Sequence, residues 1–258
     1  MENDKIFVEE RRESILEILN KNKRITTVEL SKIFNIGEAT LRRDLKELEE
    51  RGLIQRTHGG AILVDNASEE VAFKEREIQK KDEKERIARF ISQIVRNGET
   101  LMMDGGSTTL KVANALRVKN GLTIVTNSHL IANESLGYNG CRLILAGGEL
   151  QEKTFVTVGP ITDYTLRQFR ADRVILGMSA MMIDEGFFTV NLHESEIKRT
   201  MMKCGKEVIV VMDSSKIGKM TFSFVSDFST IDKLIIDDGI SAEDIEKLES
   251  KGIEVIVV

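Results

Sequence analysis

From residue 84 onward the chain alternates short apolar runs with amphipathic segments, and this alternation restricts the folds open to it. Strands that are apolar throughout are typical of a sheet covered on both faces, and strand–helix alternation places such strands in a mainly parallel sheet. We therefore predict an α/β domain. The predicted strands are 100–103, 122–126, 142–146, 173–177, 207–212, 233–236 and 254–258, and the predicted helices are 84–95, 108–117, 128–137, 162–169, 194–204 and 241–251.

The first 64 residues show a different pattern, which predicts three helices. Apolar residues at helical spacing indicate helices at 8–19 and 38–50. Between them, Thr26 and Glu29 have the spacing of a capping box, in which the hydroxyl and the carboxylate each bind a backbone N–H at a helix start. We expect that second helix to run to Phe34.

A hairpin follows the third helix. Two short apolar segments, 53–58 and 61–64, flank Gly59 and Gly60, which predicts a two-residue turn with positive φ angles. The order helix, helix–turn–helix, hairpin is that of a winged helix-turn-helix module. The predicted parts of the chain are a winged helix-turn-helix domain at 1–64, a linker at 65–82 and an α/β domain at 83–258.

The third predicted helix presents basic residues on the side opposite its leucines. At 100° per residue, Ala39, Arg43 and Lys46 lie opposite the leucine stripe, and Thr40 and Arg42 lie at its margins. Such a face suits the major groove of DNA. We expect base contacts from Ala39, Thr40 and Arg43, phosphate contacts from Arg42, Lys46 and Arg56, and a contact of the hairpin wing that includes His58.

The net charge of −5 does not exclude a nucleic-acid partner, because it is unevenly distributed. Residues 1–60 contain 12 Lys and Arg against 12 Asp and Glu, so the whole excess of negative charge lies in residues 61–258. Winged helices also serve as protein-interaction surfaces. The outward Arg and Lys residues favour DNA, and a steep salt dependence of binding would distinguish the two.

A turn at 104–109 has the composition of an anion site. It follows a predicted strand and precedes a predicted helix, and it combines two glycines, three hydroxyls and the positive end of the helix dipole. It has neither the Gly-Lys-Ser/Thr ending of a nucleotide P-loop nor the glycine spacing of a dinucleotide fingerprint. The alternative is a strand-to-helix turn in which the hydroxyls only cap the helix.

Other loops at the carboxyl ends of the predicted strands would line the same pocket. Lys216 offers a cation that neutralises a phosphate. Glu194 and Lys198 share one helix face, where an exposed i,i+4 ion pair is the alternative to a ligand-binding role. The predicted binding residues are Asp104, Gly105, Gly106, Ser107, Thr108, Thr109, Thr126, Asn127, Ser128, Gly147, Gly148, Glu194, Lys198, Asp213 and Lys216.

Several functional classes are not supported by the composition. Cys141 and Cys204 lack metal-ligand spacing, and we expect free thiols, no metal and no cofactor. No apolar run approaches the ~18 residues of a membrane helix. The first residues do not resemble a signal peptide, so we expect a cytoplasmic protein without a membrane partner.

The motifs of the two predicted domains occur together in one known family. They are 38–45, 48–49, 52–54 and 56–61 in the first domain, and 104–109, 126–127, 147–148, 159–160, 170–172, 213–216 and 231–232 in the second. Taken together, they resemble the DeoR family of bacterial transcriptional regulators, and the resemblance extends over nearly the whole chain.

The resemblance implies a repressor, less often an activator, of a sugar or polyol operon, relieved by a phosphorylated sugar intermediate. It also implies that the second domain is a sensor with the fold of ribose-phosphate isomerases and coenzyme A transferases. One module binds an operator too weakly, so we expect a homo-oligomer, dimer or tetramer, on double-stranded operator DNA.

The main alternative is an enzyme built on the same sheet. In a sugar-phosphate isomerase or acyl transferase, Asp104, Asp213 or Glu194 would act as the base and Lys216 would stabilise an enediolate. The winged helix makes this alternative unnecessary, because a sensor needs the same phosphate site without the chemistry. We therefore expect no catalytic residues.

Overall fold

The chain folds into two compact units, each with its own hydrophobic core. The computed structural model describes residues 8, 11, 12, 14–16, 18, 19, 24–50, 54–57, 59–63 and 73–258. The first unit falls within residues 1–66 and the second within 67–258. Among the described residues, no helix is both long and apolar enough to cross a membrane.

The first unit has the helices and the hairpin that its sequence predicts. The capping box is confirmed, since Glu29 N donates to Thr26 Oγ1 at 3.1 Å and Thr26 N donates to Glu29 Oε2 at 2.8 Å. Leu41, Leu45 and Leu48 are buried in its core. Its elements are α1, helical at the described residues between 8 and 19, β1 (Arg24–Thr26), α2 (Thr27–Phe34), α3 (Glu38–Glu50), β2 (Ile54–Thr57) and β3 (Gly60–Leu63).

The predicted turn at Gly59 and Gly60 is wrong by one residue. Thr57 pairs with Gly60 in the ladder, so the two residues between the paired positions are 58 and 59. Gly60 lies in β3, which also pairs with the unpredicted β1. A Cβ at Gly60 would lie 2.1 Å from the carbonyl oxygen of Ile25. This glycine is therefore required by the close approach of β1.

The second unit is built on a seven-stranded parallel sheet, which confirms the predicted α/β fold class. The strands of this unit are β4 (Thr100–Met103), β5 (Thr123–Thr126), β6 (Arg142–Leu145), β7 (Glu149–Gln151), β8 (Val156–Val158), β9 (Ala171–Gly177), β10 (Ala180–Met182), β11 (Gly186–Thr189), β12 (Gly205–Val211), β13 (Ser223–Ser226), β14 (Lys233–Ile236) and β15 (Glu254–Val257). The order in the parallel sheet is β15-β14-β12-β9-β4-β5-β6.

Helices cover both faces of this sheet. Side chains alternate along each strand, so Leu101 and Met103 pack in one core cluster and Met102 in the other. One cluster includes residues of α5, α6 and α7, and the other includes residues of α8, α9 and α10. The helices of the unit are α4 (Phe73–Ile78), α5 (Lys81–Ile94), α6 (Ser107–Ala115), α7 (His129–Ser135), α8 (Pro160–Arg167), α9 (Leu192–Met202) and α10 (Ala242–Ser250).

Several short elements were not predicted from the sequence. Helix α4 forms within the stretch predicted as a linker, of which residues 65–72 lie outside the described residues. Strands β7 and β8 form an antiparallel hairpin, and β10, β11 and β13 form a small antiparallel sheet. Each of these strands has only three or four residues. Runs of that length carry almost no periodicity to detect.

Candidate functional sites

The turn after β4 is fixed by a buried ion pair. Asp104 Oδ1 accepts the backbone N–H of Gly177 at 2.9 Å, and its other carboxylate oxygen binds Lys198 Nζ. Lys198 Nζ also donates to the carbonyl of Gly177 at 2.9 Å. Only 2% of Asp104 and 5% of Lys198 is exposed. The pair therefore holds the turn against β9 and α9.

The alternative of an exposed ion pair between Glu194 and Lys198 is wrong. Both residues are buried, and Lys198 binds Asp104 instead. Glu194 Oε1 accepts the hydroxyl of Thr154 at 2.9 Å. Glu194 and Lys198 do share one side of α9, as their spacing predicts. That side points into the protein, where Lys198 positions the turn at 104–109.

The glycines of the turn allow another strand to approach it. A Cβ at Gly105 would lie 2.0 Å from Val156 Cγ1 in β8. The N-cap position of α6 is Gly106, which has extended backbone and no side chain, so no hydroxyl occupies the position that would cap this helix. Thr109 Oγ1 donates back to the Gly106 carbonyl at 3.0 Å. The first N–H groups of α6 thus keep their affinity for an anion.

The loop after β5 lies beside this turn, but its polar groups are mostly used within the protein. Thr126 Oγ1 donates to the Met103 carbonyl at 2.7 Å, and Ser128 Oγ caps α7. Asn127 Nδ2 donates to the Thr157 carbonyl at 2.8 Å, while its Oδ1 is buried without a hydrogen-bond partner. These three residues shape the wall of the site.

Gly147 and Gly148 contact α8 and β8. The hydroxyl of Thr162 donates to the Gly147 carbonyl at 2.8 Å. Gly148 has a φ of +148°, and a Cβ there would lie 2.1 Å from the hydroxyl oxygen of Thr162. Packing therefore explains the glycine at 148 without a ligand, whereas a Cβ at Gly147 would meet nothing within 4 Å.

A cluster of one buried and two half-buried cations surrounds Asp213, beyond the carboxyl end of β12. Lys84 of α5 is 2% exposed and donates to the carbonyls of Arg76 and Gln79. Burial lowers the pKa of Lys84 to about 8 and also lowers the pKa of Lys216, while the negative charge of Asp213 opposes both shifts. Arg76 Nε and Nη2 are buried without a hydrogen-bond partner.

The cluster of Arg76, Lys84, Lys216 and Asp213 has excess positive charge, and Lys84 and Asp213 within it are buried. Such a charge is costly unless an anion compensates it. Only Asp213 and Lys216 were predicted as binding residues. Arg76 was placed in a linker and Lys84 only at a helix start, because nothing in the linear sequence brings α4 and α5 to the end of β12.

The turn at 104–109 and this basic cluster lie at the same edge of the sheet. They follow β4 and β12, which flank β9. Since neighbouring strands are about 4.8 Å apart, the ends of β4 and β12 lie about 10 Å apart. An open parallel sheet binds ligands at this edge. The arrangement offers two anion-attracting groups to one small molecule.

In the first unit, α3 exposes the predicted basic face. Its five predicted residues are all exposed, and its leucines are buried. Arg42 Nη2 lies 3.1 Å from Glu38 Oε2, and Arg56 Nη1 lies 3.8 Å from Glu49 Oε2. Exposed pairs of this kind are weak, so a DNA phosphate can replace the carboxylate. The predicted wing residue His58 lies outside the described residues.

The orientation of α3 depends on an ion-pair network that the sequence did not reveal. Asp44, on the inner side of α3, is buried. Its two carboxylate oxygens bind Arg11 Nε at 2.7 Å and Arg12 Nε at 3.2 Å. These contacts attach α1 to α3. A signal was present, since Asp44 interrupts an otherwise apolar stripe.

Comparison with known proteins identifies both units. The family described as "DeoR-like helix-turn-helix domain" matches residues 11–67, and the family described as "DeoR C terminal sensor domain" matches residues 79–238.

Two relatives illustrate the similarity over nearly full length. The glycerol-3-phosphate regulon repressor of Escherichia coli K12 is 36% identical over 228 residues, which cover 88% of this chain and 90% of the relative. An HTH-type transcriptional regulator of Bacillus subtilis, YulB, is 32% identical and covers 98% of both chains. These relatives are regulators, which favours a regulator over the isomerase alternative.

Two solved structures are similar to part of this chain. The eIF2B delta subunit of Chaetomium thermophilum has a TM-score of 0.46 at 15% identity, with 61% of this chain and 56% of that chain covered. Ribose 5-phosphate isomerase A of Methanocaldococcus jannaschii has a TM-score of 0.38 at 14% identity, with 54% and 55% covered. On the two family matches and the full-length relatives, the chain belongs to the DeoR family of DNA-binding transcriptional regulators.

Proposed function

We propose that this regulator is a repressor that responds to a phosphorylated sugar or polyol. The observation that supports this most directly is the cluster in which the buried Lys84 and the half-buried Arg76 and Lys216 surround Asp213. A phosphate dianion would balance this excess positive charge and accept hydrogen bonds from Lys84 and Lys216. A relative named as a glycerol-3-phosphate regulon repressor is consistent with such an effector.

The effector lies over the carboxyl end of β9, within reach of both anion-attracting features. On one side, the first turn of α6 offers backbone N–H groups and the hydroxyls of Ser107 and Thr108. On the other side, the basic cluster that contains Lys216 supplies positive charge. Asp104 and Lys198 neutralise each other, so we assign them a positioning role and no direct contact with the phosphate.

The helix α3 enters the major groove of operator DNA. Ala39, Thr40 and Arg43 lie nearest the base edges, while Arg42, Lys46 and Arg56 contact phosphates. A homo-oligomer places two modules on repeated half-sites, since one module gives too little affinity. The effector shifts the balance between DNA-binding arrangements by its difference in affinity for the two states.

Fluorescence anisotropy of the full-length protein on a duplex from its own promoter region tests this function. Arg43→Ala should weaken binding to that duplex by about 1–3 kcal/mol, without changing the affinity for an active phosphosugar. Lys216→Met should bind the duplex normally but need at least about tenfold more phosphosugar for release, which equals about 1.4 kcal/mol. A panel of sugar and polyol phosphates supplies the ligand.

The matched control is Lys206→Met. Lys206 pairs with Asp172 at the opposite end of β12, where its side chain is 78% exposed. It should behave as wild type in both measurements. If no phosphorylated compound releases the duplex, or if Lys216→Met responds like the control, the effector assignment is wrong. Unchanged site-specific binding by Arg43→Ala would exclude α3 as the reading helix.

A further inference from the structure

The turn between β7 and β8 has an unusual backbone that the proposed function leaves unexplained. Phe155 has a φ of +57°, in the left-handed region that bulky side chains rarely adopt. Its N–H donates to the Gln151 carbonyl at 2.9 Å, and its carbonyl accepts the N–H of His129 at 3.0 Å. Phe155 is thus held in this conformation by bonds to β7 and to the start of α7.

This turn contacts the proposed effector site from behind. Val156 forms a bridge with Ser128 and packs against Gly105, where no Cβ would fit. A ligand that presses on Gly105 therefore acts on Val156, the residue that follows Phe155.

A second route leads from the same turn to the buried ion pair. The hydroxyl of Thr154 donates to Glu194 at 2.9 Å. Glu194 lies one helical turn before Lys198, which binds Asp104. Both Thr154 and Glu194 are buried. The turn between β7 and β8 is therefore connected to the turn at 104–109 by two routes, one through Gly105 and one through Asp104.

The other side of the turn holds the start of α4. The rings of Phe73 and Phe155 meet edge to face, with centroids 6.3 Å apart and an interplanar angle of 84°. The backbone N–H of Phe73 donates to the Lys153 carbonyl at 3.3 Å. Phe73 is buried. In the chain, α4 is the first described element after residue 63, so it is the sensor segment nearest in sequence to the DNA-binding unit.

The far end of α4 is held by the basic cluster. Lys84 Nζ donates to the carbonyls of Arg76 and Gln79, which lie at and just beyond the last turn of this helix. A phosphate that draws Lys84 toward itself competes with these two bonds. Both ends of α4 are therefore attached to groups that an effector at this sheet edge would disturb.

We propose that Phe73 and Phe155 form the positioning pair through which an effector loosens α4 and so changes the affinity of the protein for DNA. This inference rests on the proposed function. In the absence of effector, the aromatic contact and Lys84 hold α4 against the sensor. An effector that binds the loosened state more tightly shifts the population toward it.

Hydrogen–deuterium exchange of the full-length protein tests this proposal, with inorganic phosphate as the probe. In wild type, phosphate should protect the amides of 105–109 and accelerate exchange in 75–79 severalfold. In Phe155→Leu, the amides of 75–79 should exchange rapidly without phosphate, and phosphate should not accelerate them further. Protection of 105–109 should remain.

Two further variants keep this test decisive. Phe73→Leu removes the same contact from the α4 side and should reproduce the result, which covers the case that Phe155→Leu does not fold. The matched control is Phe222→Leu, at a ring that is 71% exposed, and it should behave as wild type.

The possible failures are distinguishable. If phosphate protects 105–109 in wild type but leaves 75–79 unchanged, or if both leucine variants still respond like wild type, the positioning pair is wrong and the effector site stands. If phosphate protects nothing at 105–109, the proposed effector site is wrong, and the inference that rests on it is overturned as well.

Discussion

Lys198 illustrates how the role of a single residue depends on its burial. Its spacing from Glu194 is that of a surface ion pair, and the sequence left that alternative open. In the structure it binds Asp104 and the Gly177 carbonyl inside the protein. Removing one partner of a buried ion pair lowers the free energy of unfolding by more than the intact pair contributes to it, because the other charge stays buried without compensation.

We therefore predict that Lys198→Met lowers the free energy of unfolding by about 3–5 kcal/mol, because Asp104 is left buried without its partner. The same substitution at Lys206, in an exposed pair with Asp172, should change it by about 1 kcal/mol or less. Urea denaturation followed by circular dichroism measures both values. Equal losses in the two variants would contradict the assignment of Asp104 and Lys198 as a structural pair.

Single elements were predictable where they are long and periodic. Helix α3 was predicted with its observed bounds, because a leucine stripe over 13 residues is a strong signal. The hairpin turn was misplaced because both glycines were assigned to the turn. At Gly60 the requirement for glycine comes from β1, an element that the sequence did not indicate.

Gly60→Ala tests this explanation of the hairpin. The added methyl group would collide with the backbone of Ile25 and Thr26, so β1 has to separate from β3. We expect a loss of about 3 kcal/mol in the stability of the first unit. Gly147→Ala is the control, since nothing lies within 4 Å of its Cβ position. Differential scanning calorimetry should show a lowered transition only for Gly60→Ala.

At the scale of the whole molecule, the uneven charge distribution determines how DNA binding depends on salt. A dimer with three phosphate contacts per module makes about six such contacts in all. A plot of the logarithm of the DNA-binding constant against the logarithm of salt concentration should therefore have a slope near −5. Arg42→Gln should make this slope shallower by about 2 in a dimer. Anisotropy titrations at several salt concentrations measure it.

Arg117→Gln is the control for the salt experiment. Arg117 is an exposed residue of the sensor unit and should leave the slope unchanged. A slope near zero in wild type would instead indicate an apolar protein contact as the role of the first unit. The net charge of −5 on the whole chain predicts none of this, because residues 1–60 have no net charge and α3 exposes Arg42, Arg43 and Lys46.

The sequence by itself determined the seven parallel strands, the helices between them and the winged helix-turn-helix order. These features rest on periodicity and capping, which act between residues close in the chain. It also determined that the loops after β4 and β12 meet at one edge, because parallel strands end together. The family followed from motifs spread over both units.

Only the tertiary structure decided which groups meet at that edge. Lys198 reaches Asp104, and Arg76 and Lys84 reach the surroundings of Asp213, across separations in sequence that carry no local signal. Likewise, Gly60 and Gly105 are required by strands that approach from elsewhere in the chain. Burial and close approach depend on packing between distant segments, and packing is fixed only when the whole fold has formed.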